Sequence, residues 1–142
     1  MIIAAIILSV VMPSEKLVDA VAYTESMSDD YAVGDRGRAI GAWQIWECAW
    51  DTANYYREMN GLIRIDRNSA TPEKHREIAR WLLAWNIYRL RANGIKNPTD
   101  QQIYLSFAMG VKGFSRIGFN PSRVGRTHRR ALVRLNNYLR DN

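Results

Sequence analysis

The chain opens with an almost wholly apolar run from Ile2 to Met12, and helical periodicity starts only after Pro13-Ser14. Ser14 is a good N-cap, and Leu17, Val18, Val21 and Ala22 then recur on one side of the helix it would start. At about 100° per residue those four span roughly 140° of helix face, and Glu25 points near the middle of the arc. Such an acid is either a carboxyl held where water is scarce or a helix-end carboxylate whose side chain escapes to solvent.

Downstream, Ser28 to Arg38 is polar and carries Gly34 and Gly37, so it reads as a loop or a short hairpin. A second helix is predicted from about Gly41 to Met59, with Trp43, Trp46 and Trp50 on one face. Asn60 to Ala70 is a connector. Thr71-Pro72-Glu73 supplies an N-cap, a proline at the first helical position and an early acid. The helix they open should run to about Ala92, with Ile78, Leu82, Trp85 and Tyr88 or Arg89 as its stripe and Gly94 near its stop. Thr99-Asp100-Gln101-Gln102 is a capping box for a short helix through Met109. Gly110 to Gly125 reads as loop, and a last helix from about Thr127 should bury Ala131, Leu132, Leu135, Tyr138 and Leu139. The expected fold is mainly α, a single domain over residues 14–142, with a small β-hairpin after the first helix as the alternative to a plain loop. Residues 1–13 form a separate apolar segment.

Composition narrows this. With 47% hydrophobic and 24% charged residues, a chain of 142 residues is globular and can bury a real core. Cys48 is the only cysteine, so no intrachain disulfide forms, and it reads as a small buried hydrophobe. His75 and His128 are the only histidines, and no Cys/His cluster implies a metal. His128 stands in a basic run and reads as a surface residue. The opening apolar segment is too short to span a bilayer comfortably. It has the length of an export signal's core but no basic residue before it and no clear cleavage site after it, so a core helix, an export signal and a short anchor all remain open. The formal charge is +6, and from Lys112 onward eight Lys/Arg face Asp141 alone. That end is either a solvated face or a surface for a polyanion, nucleic acid or an anionic envelope polymer.

The candidate chemistry is a pair of carboxyls. Cleaving a glycosidic bond takes an acid that protonates the leaving oxygen and commonly a second carboxylate nearby. Glu25 in an apolar setting, with its pKa raised by burial, suits the first role. Asp35, on a solvated loop between Gly34 and Arg36-Gly37, suits the second, with Asp29 and Asp30 as competitors. Environments that push two carboxyls apart assign acid and base roles.

Glu25-Ser26, then Gly34-Asp35-Arg36-Gly37, then Gly41-Ala42-Trp43-Gln44-Ile45 resembles the active-site stretch of the lysozyme-like superfamily. In soluble lytic transglycosylases and goose-type lysozymes it reads Glu-Ser, a glycine-bearing loop, then Gly-Leu-Met-Gln. The invertebrate-type lysozymes carry Asp-x-Gly, then Gly-Pro-Tyr-Gln-Ile and Tyr-Trp-x-Asp; Gln44-Ile45 and Ala49-Trp50-Asp51 stand here at matching offsets. The resemblance covers about Leu17 to Ala53. It implies Glu25 as catalytic acid, Asp35 as the second acidic residue, Gln44 as a cleft-lining glutamine and Ser26 as support for the glutamate. Gly41, Trp43 and Phe107 are further candidates for binding substrate, although the tryptophan stripe as a whole reads as core. The family also places a substrate-contacting aromatic near His128. Its substrate is the β-1,4 linkage between N-acetylmuramic acid and N-acetylglucosamine in peptidoglycan glycan strands.

There are departures: the dense cysteines of the invertebrate type are absent, and so is its Ile-His-Asn-Gly-Gly stretch. The transglycosylases carry Ala-Tyr-Asn-Ala-Gly after the long helix, where this chain has Ser106-Phe107-Ala108-Met109-Gly110. The expected tyrosine hydroxyl and asparagine amide are replaced by apolar groups. The sequence therefore supports two readings. One is a glycosidase, lysozyme or lytic transglycosylase, monomeric and without cofactor, acting outside the cytoplasm or from a virion where peptidoglycan is reached. The other is a wall-binding or virion/envelope structural module that keeps the groove without turnover. A basic helical nucleic-acid binder ranks last, because it leaves the Glu25 to Ile45 pattern unexplained.

Overall fold

Ser14 caps the first helix as its sequence position predicts: its Oγ accepts the Leu17 N–H at 3.1 Å. In the computed structural model, which describes residues 9–142, this helix is α1, Glu15–Ser26. Residues 1–8 of the apolar opening lie outside the described residues, so the choice among core helix, export signal and anchor rests on sequence alone. Leu17, Val18, Val21 and Ala22 are buried together, as their spacing predicts. Met27, in the left-handed conformation at φ 57, ends α1 and returns its N–H to the carbonyls of Ala22 and Tyr23.

The polar stretch that follows resolves as the hairpin. Val33–Gly34 (β1) and Ala39–Ile40 (β2) pair antiparallel, with Val33 opposite Ile40 and Gly34 opposite Ala39. One 3-10 turn, Asp35–Gly37, joins them.

The second helix starts later than its apolar pattern predicts. It is α2, Glu47–Met59. Gly41 at φ 76 and Gln44 at φ 50 hold the preceding residues out of helix, and Ile45 bridges back to Ile40 instead. The three tryptophans therefore share no helix face: Trp43 lies in the turn, Trp46 is the N-cap of α2, and only Trp50 is inside it. The connector after α2 is irregular but pinned. The Ile65 carbonyl accepts the Trp50 Nε1–H at 2.8 Å and the Asn54 amide at 2.9 Å, while Asn54 Oδ1 accepts the Ile65 N–H. These bonds satisfy backbone groups that no regular element serves.

Thr71 and Pro72 open α3, Pro72–Ala92, and the capping box opens α4, Asp100–Met109. Gly110 to Gly125 is not plain loop: it contains a short helix α5, Val111–Ser115, and a 3-10 turn at Pro121–Arg123. Phe114 is fully buried, so this segment folds around a side chain that its glycines obscure in the sequence. The last helix, α6, is Arg126–Asp141; it buries Ala131, Leu132 and Leu135, with Tyr138 and Leu139 only half-buried.

The protein is mainly helical, with the small hairpin after the first helix. The long helix α3 packs against α1, α2, α4 and α5, and α1 packs along α6. Because α3 is surrounded, its buried set is wider than one stripe: Ala79, Leu83, Ile87 and Leu90 are buried along with Ile78 and Leu82, while Tyr88 and Arg89 are exposed. Fully buried leucines such as Leu83, Leu90 and Leu105 each contribute on the order of 2 kcal/mol. Among the described residues no helix is long and apolar enough to cross a membrane.

Candidate active site

The end of α1, the hairpin, the start of α2, and helices α4 and α6 surround a cleft of about 780 Å³. Glu25 enters it from the last turn of α1. The side chain is half-buried, and the Tyr104 hydroxyl donates to Oε1 at 2.7 Å. Burial pushes the Glu25 pKa up, and the Asp35 charge adds to that. The Tyr104 hydrogen bond and the Arg134 guanidinium pull the other way, and the balance stays above the ordinary 4.5. Tyr104, only 2% exposed, is pushed strongly upward by burial and the Glu25 charge, so its hydroxyl keeps its proton and remains a donor.

This hydroxyl supplies one of the two polar groups, the phenol, that the sequence lacks at Phe107 and Ala108. Phe107 and Ala108 do line the cleft, but the phenol arrives from Tyr104, one turn earlier on α4. Stepping back from Phe107 by i−3 on a predicted helix would have found it.

Asp35 lies on the same cleft but is exposed, at φ 49. Its Oδ2 accepts the Trp46 Nε1–H at 2.9 Å, and the Arg38 guanidinium stands 5.5 Å from the centre of the Trp46 ring. Of the three candidate aspartates only Asp35 lines the cleft. Asp29 instead accepts the Tyr31 N–H, and Asp30 borders a separate hollow beside His75.

Gln44 lines the cleft and also holds the hairpin. Its amide donates to the carbonyls of Ala32 at 3.1 Å and Gly41 at 2.9 Å. A Cβ on Gly34 would stand 2.3 Å from Gln44 Oε1, so any larger residue there would push the Gln44 amide aside.

The other predicted contacts lie elsewhere. Ser26 donates to the Ala42 carbonyl at 2.7 Å and accepts the Asp29 N–H, tying the end of α1 to the turn before Gln44, outside the cleft lining. Gly41 packs on His75, whose Nδ1 would be 2.6 Å from an added Cβ. Trp43 is 5% exposed and donates its indole N–H to the Val18 carbonyl, which places it in the core. Trp46, 39% exposed, is the tryptophan that faces the cleft.

Cys48 is exposed and borders the cleft, because α2 begins at Glu47 and turns that residue outward. His128 is half-buried on the cleft wall; the packing of α6 along α1 brings it there. Arg134, one of eight basic residues in the C-terminal stretch, also lines the cleft, and its Nε donates to the Thr24 carbonyl at 3.3 Å, next to Glu25. Among the described residues no three His, Cys, Asp or Glu side chains converge where a metal ion could sit.

Comparison with protein-family models, curated proteins and solved structures finds no match. The site must be read from its own chemistry. It offers a carboxyl whose pKa is raised by burial, a phenol fixed to that carboxyl, and a second, exposed carboxylate on the same cleft. That set can protonate a leaving oxygen while positive charge develops beside Asp35.

Proposed function

We propose that this protein cleaves the β-1,4 linkage between N-acetylmuramic acid and N-acetylglucosamine in peptidoglycan, as the resemblance to the lysozyme-like superfamily implies. Glu25 protonates the glycosidic oxygen. Asp35 stabilises the oxocarbenium-like transition state or positions the attacking water, and Gln44 holds the loop that carries it. The observation that carries this reading is the Glu25 carboxyl itself: half-buried, bonded to Tyr104, with its pKa raised, at the wall of an open cleft. Burial costs the charged form, and a protein that only binds glycan gains nothing from keeping that acid there.

Two routes share this acid. In hydrolysis water attacks the anomeric carbon and leaves a reducing end; in the transglycosylase route the sugar's own hydroxyl attacks and leaves an anhydro end. The test is to incubate wild type and Glu25→Gln with peptidoglycan and weigh the released fragments. Fragments from wild type that vanish in the variant are expected, and their masses name the route. No release by either protein, with wild type still bound to the walls, would replace the enzyme with a binding module.

A further inference from the structure

The cleft does not end at Trp46. Beyond that ring lies a second hollow of about 560 Å³, bordered by Arg38, Glu47, Asp51 and Arg67 but by neither Glu25 nor Asp35. Trp46 and Cys48 line both spaces, so the two meet across them. Each space is in the size range of a ligand site.

The indole on this boundary is exposed and yet fixed. Its Nε1–H donates to Asp35 Oδ2 at 2.9 Å, and the Arg38 guanidinium lies over the ring, 5.5 Å from its centre. Arg38 borders the second hollow and not the cleft, so the ring surface that faces the cleft is left uncovered by it. Trp43 and Trp50 are buried and give their indole N–H groups to backbone carbonyls. Trp46 instead gives its own to a carboxylate of the cleft. A ring held in place before its ligand arrives loses little freedom on binding. With two guanidiniums and two carboxylates around it, the second hollow balances donors against acceptors. That set suits a ligand of hydroxyl and amide groups better than an ion.

We infer that Trp46 is a stacking surface for a pyranose ring, and that the hollow beyond it is a further subsite for the glycan strand. This rests on the glycan-cleaving reading for the nature of the ligand. A pyranose carries C–H groups on its faces and polar groups around its edge, so its faces pack on an aromatic ring while its edge reaches polar side chains. The strand then runs past Glu25 along the side of the cleft that carries Asp35. One sugar covers the indole, and the next enters the second hollow. Contacts this far from the scissile bond supply binding energy that can be used at the reacting centre.

Binding is measured by titration calorimetry in the Glu25→Gln background, so that no probe is consumed, with the trimer and the hexamer of β-1,4-linked N-acetylglucosamine. The hexamer should bind about tenfold more tightly than the trimer. Trp46→Phe and Trp46→Leu both lose the N–H that Asp35 holds, and only the first keeps an aromatic face. Trp46→Phe should keep most of the hexamer affinity, and Trp46→Leu should lose about tenfold. Arg38→Ala and Asp51→Ala alter the second hollow alone, and both residues are exposed. Each should weaken the hexamer about threefold. Cys48, the only cysteine, gives a second readout: saturating hexamer should slow its labelling by a thiol reagent.

Equal affinity of the phenylalanine and leucine variants overturns the inference, as does a hexamer that binds no better than the trimer. So do binding of neither oligomer, no loss in Arg38→Ala and Asp51→Ala, and a labelling rate that the hexamer leaves unchanged. Failure of the enzymatic reading is seen separately, in the fragments released from intact walls. A protein that releases none but shows this binding pattern loses the reaction and keeps the subsite. One that cleaves walls without the pattern loses the subsite alone.

Discussion

Glu25 and Asp35 face one cleft but are held by opposite means. Glu25 belongs to a regular helix, is half-buried, and is gripped by a tyrosine that is itself buried. Asp35 belongs to a turn with left-handed backbone at Asp35 and Arg36, is exposed, and is held by one indole N–H. The first arrangement fixes a proton; the second fixes a charge in water at small cost in desolvation. Position in the cleft is therefore shared between the two carboxyls, and environment divides the labour between them.

Replacing Glu25 tests the buried half most severely. Glu25→Gln should lower kcat by on the order of 10³-fold, since the amide cannot donate the proton. It should also stabilise the fold at about pH 7, and the sign follows from linkage. The folded-state pKa lies above the ordinary 4.5, so the contribution of Glu25 to stability is full below that value and is lost as pH rises through the raised one. Glutamine cannot ionise and avoids that loss, while its Oε1 still accepts the Tyr104 hydroxyl. Thermal melts across pH should show the variant more stable toward neutral pH and equal to wild type well below 4.5. A variant less stable than wild type at neutral pH would mean that the charged form is the one the site favours.

The exposed half should matter less. Asp35→Asn keeps an oxygen for the Trp46 N–H and removes the charge, so kcat should fall about 10²-fold with no change in melting temperature. The same change removes a charge that raises the Glu25 pKa, and the basic limb of the pH profile should move to lower pH. A loss as large as that in Glu25→Gln would make the two carboxyls equal partners. No loss at all would leave Glu25 acting alone, as the transglycosylase route allows.

The two halves were unequally legible in the sequence. Ser14, Thr71-Pro72 and the Thr99–Gln102 box are local signals, and each sets a helix start within a residue or two of its observed place. The apolar arc around Glu25 is equally local, and so is the glycine-flanked Asp35. The Tyr104–Glu25 bond joins residues 79 apart, so nothing around Glu25 points to it, and only the helical step back from Phe107 does. The spacing of Trp43 fits a helix, but the left-handed Gln44, a residue without a glycine's freedom, breaks that helix and makes two side-chain hydrogen bonds instead. His128 and Arg134 reach the cleft only because α6 packs on α1, and a run of basic residues reads as surface until that packing is known.

Tyr104→Phe separates the geometry of the buried half from its charge. The ring stays in place while the hydroxyl that stabilises the Glu25 carboxylate is lost, so the Glu25 pKa should rise further and the basic limb should move to higher pH. The shift is opposite in direction to that of Asp35→Asn. On the plateau, where Glu25 is protonated in both proteins, the loss of one positioning bond should cost about 1 kcal/mol in kcat/KM. A uniform fall in rate with an unmoved limb would reduce Tyr104 to packing.

Arg36→Gly probes the turn that carries the exposed carboxylate, and its effect should be the smallest. Arg36 is exposed at φ 58, a conformation that costs an L-residue roughly 1 kcal/mol and glycine almost nothing. Part of that gain is cancelled by the extra freedom glycine brings to the unfolded chain. The net should be a stabilisation of about 0.5 kcal/mol, read as a small rise in the urea midpoint at constant slope. The looser turn should hold Asp35 less firmly and lower kcat about twofold. Stability and rate would then move in opposite directions, as they do for Glu25→Gln, but by relief of backbone strain in place of desolvation. A rise in both would show that the strained turn does nothing for Asp35, and would leave Gln44 and the Trp46 indole to position it.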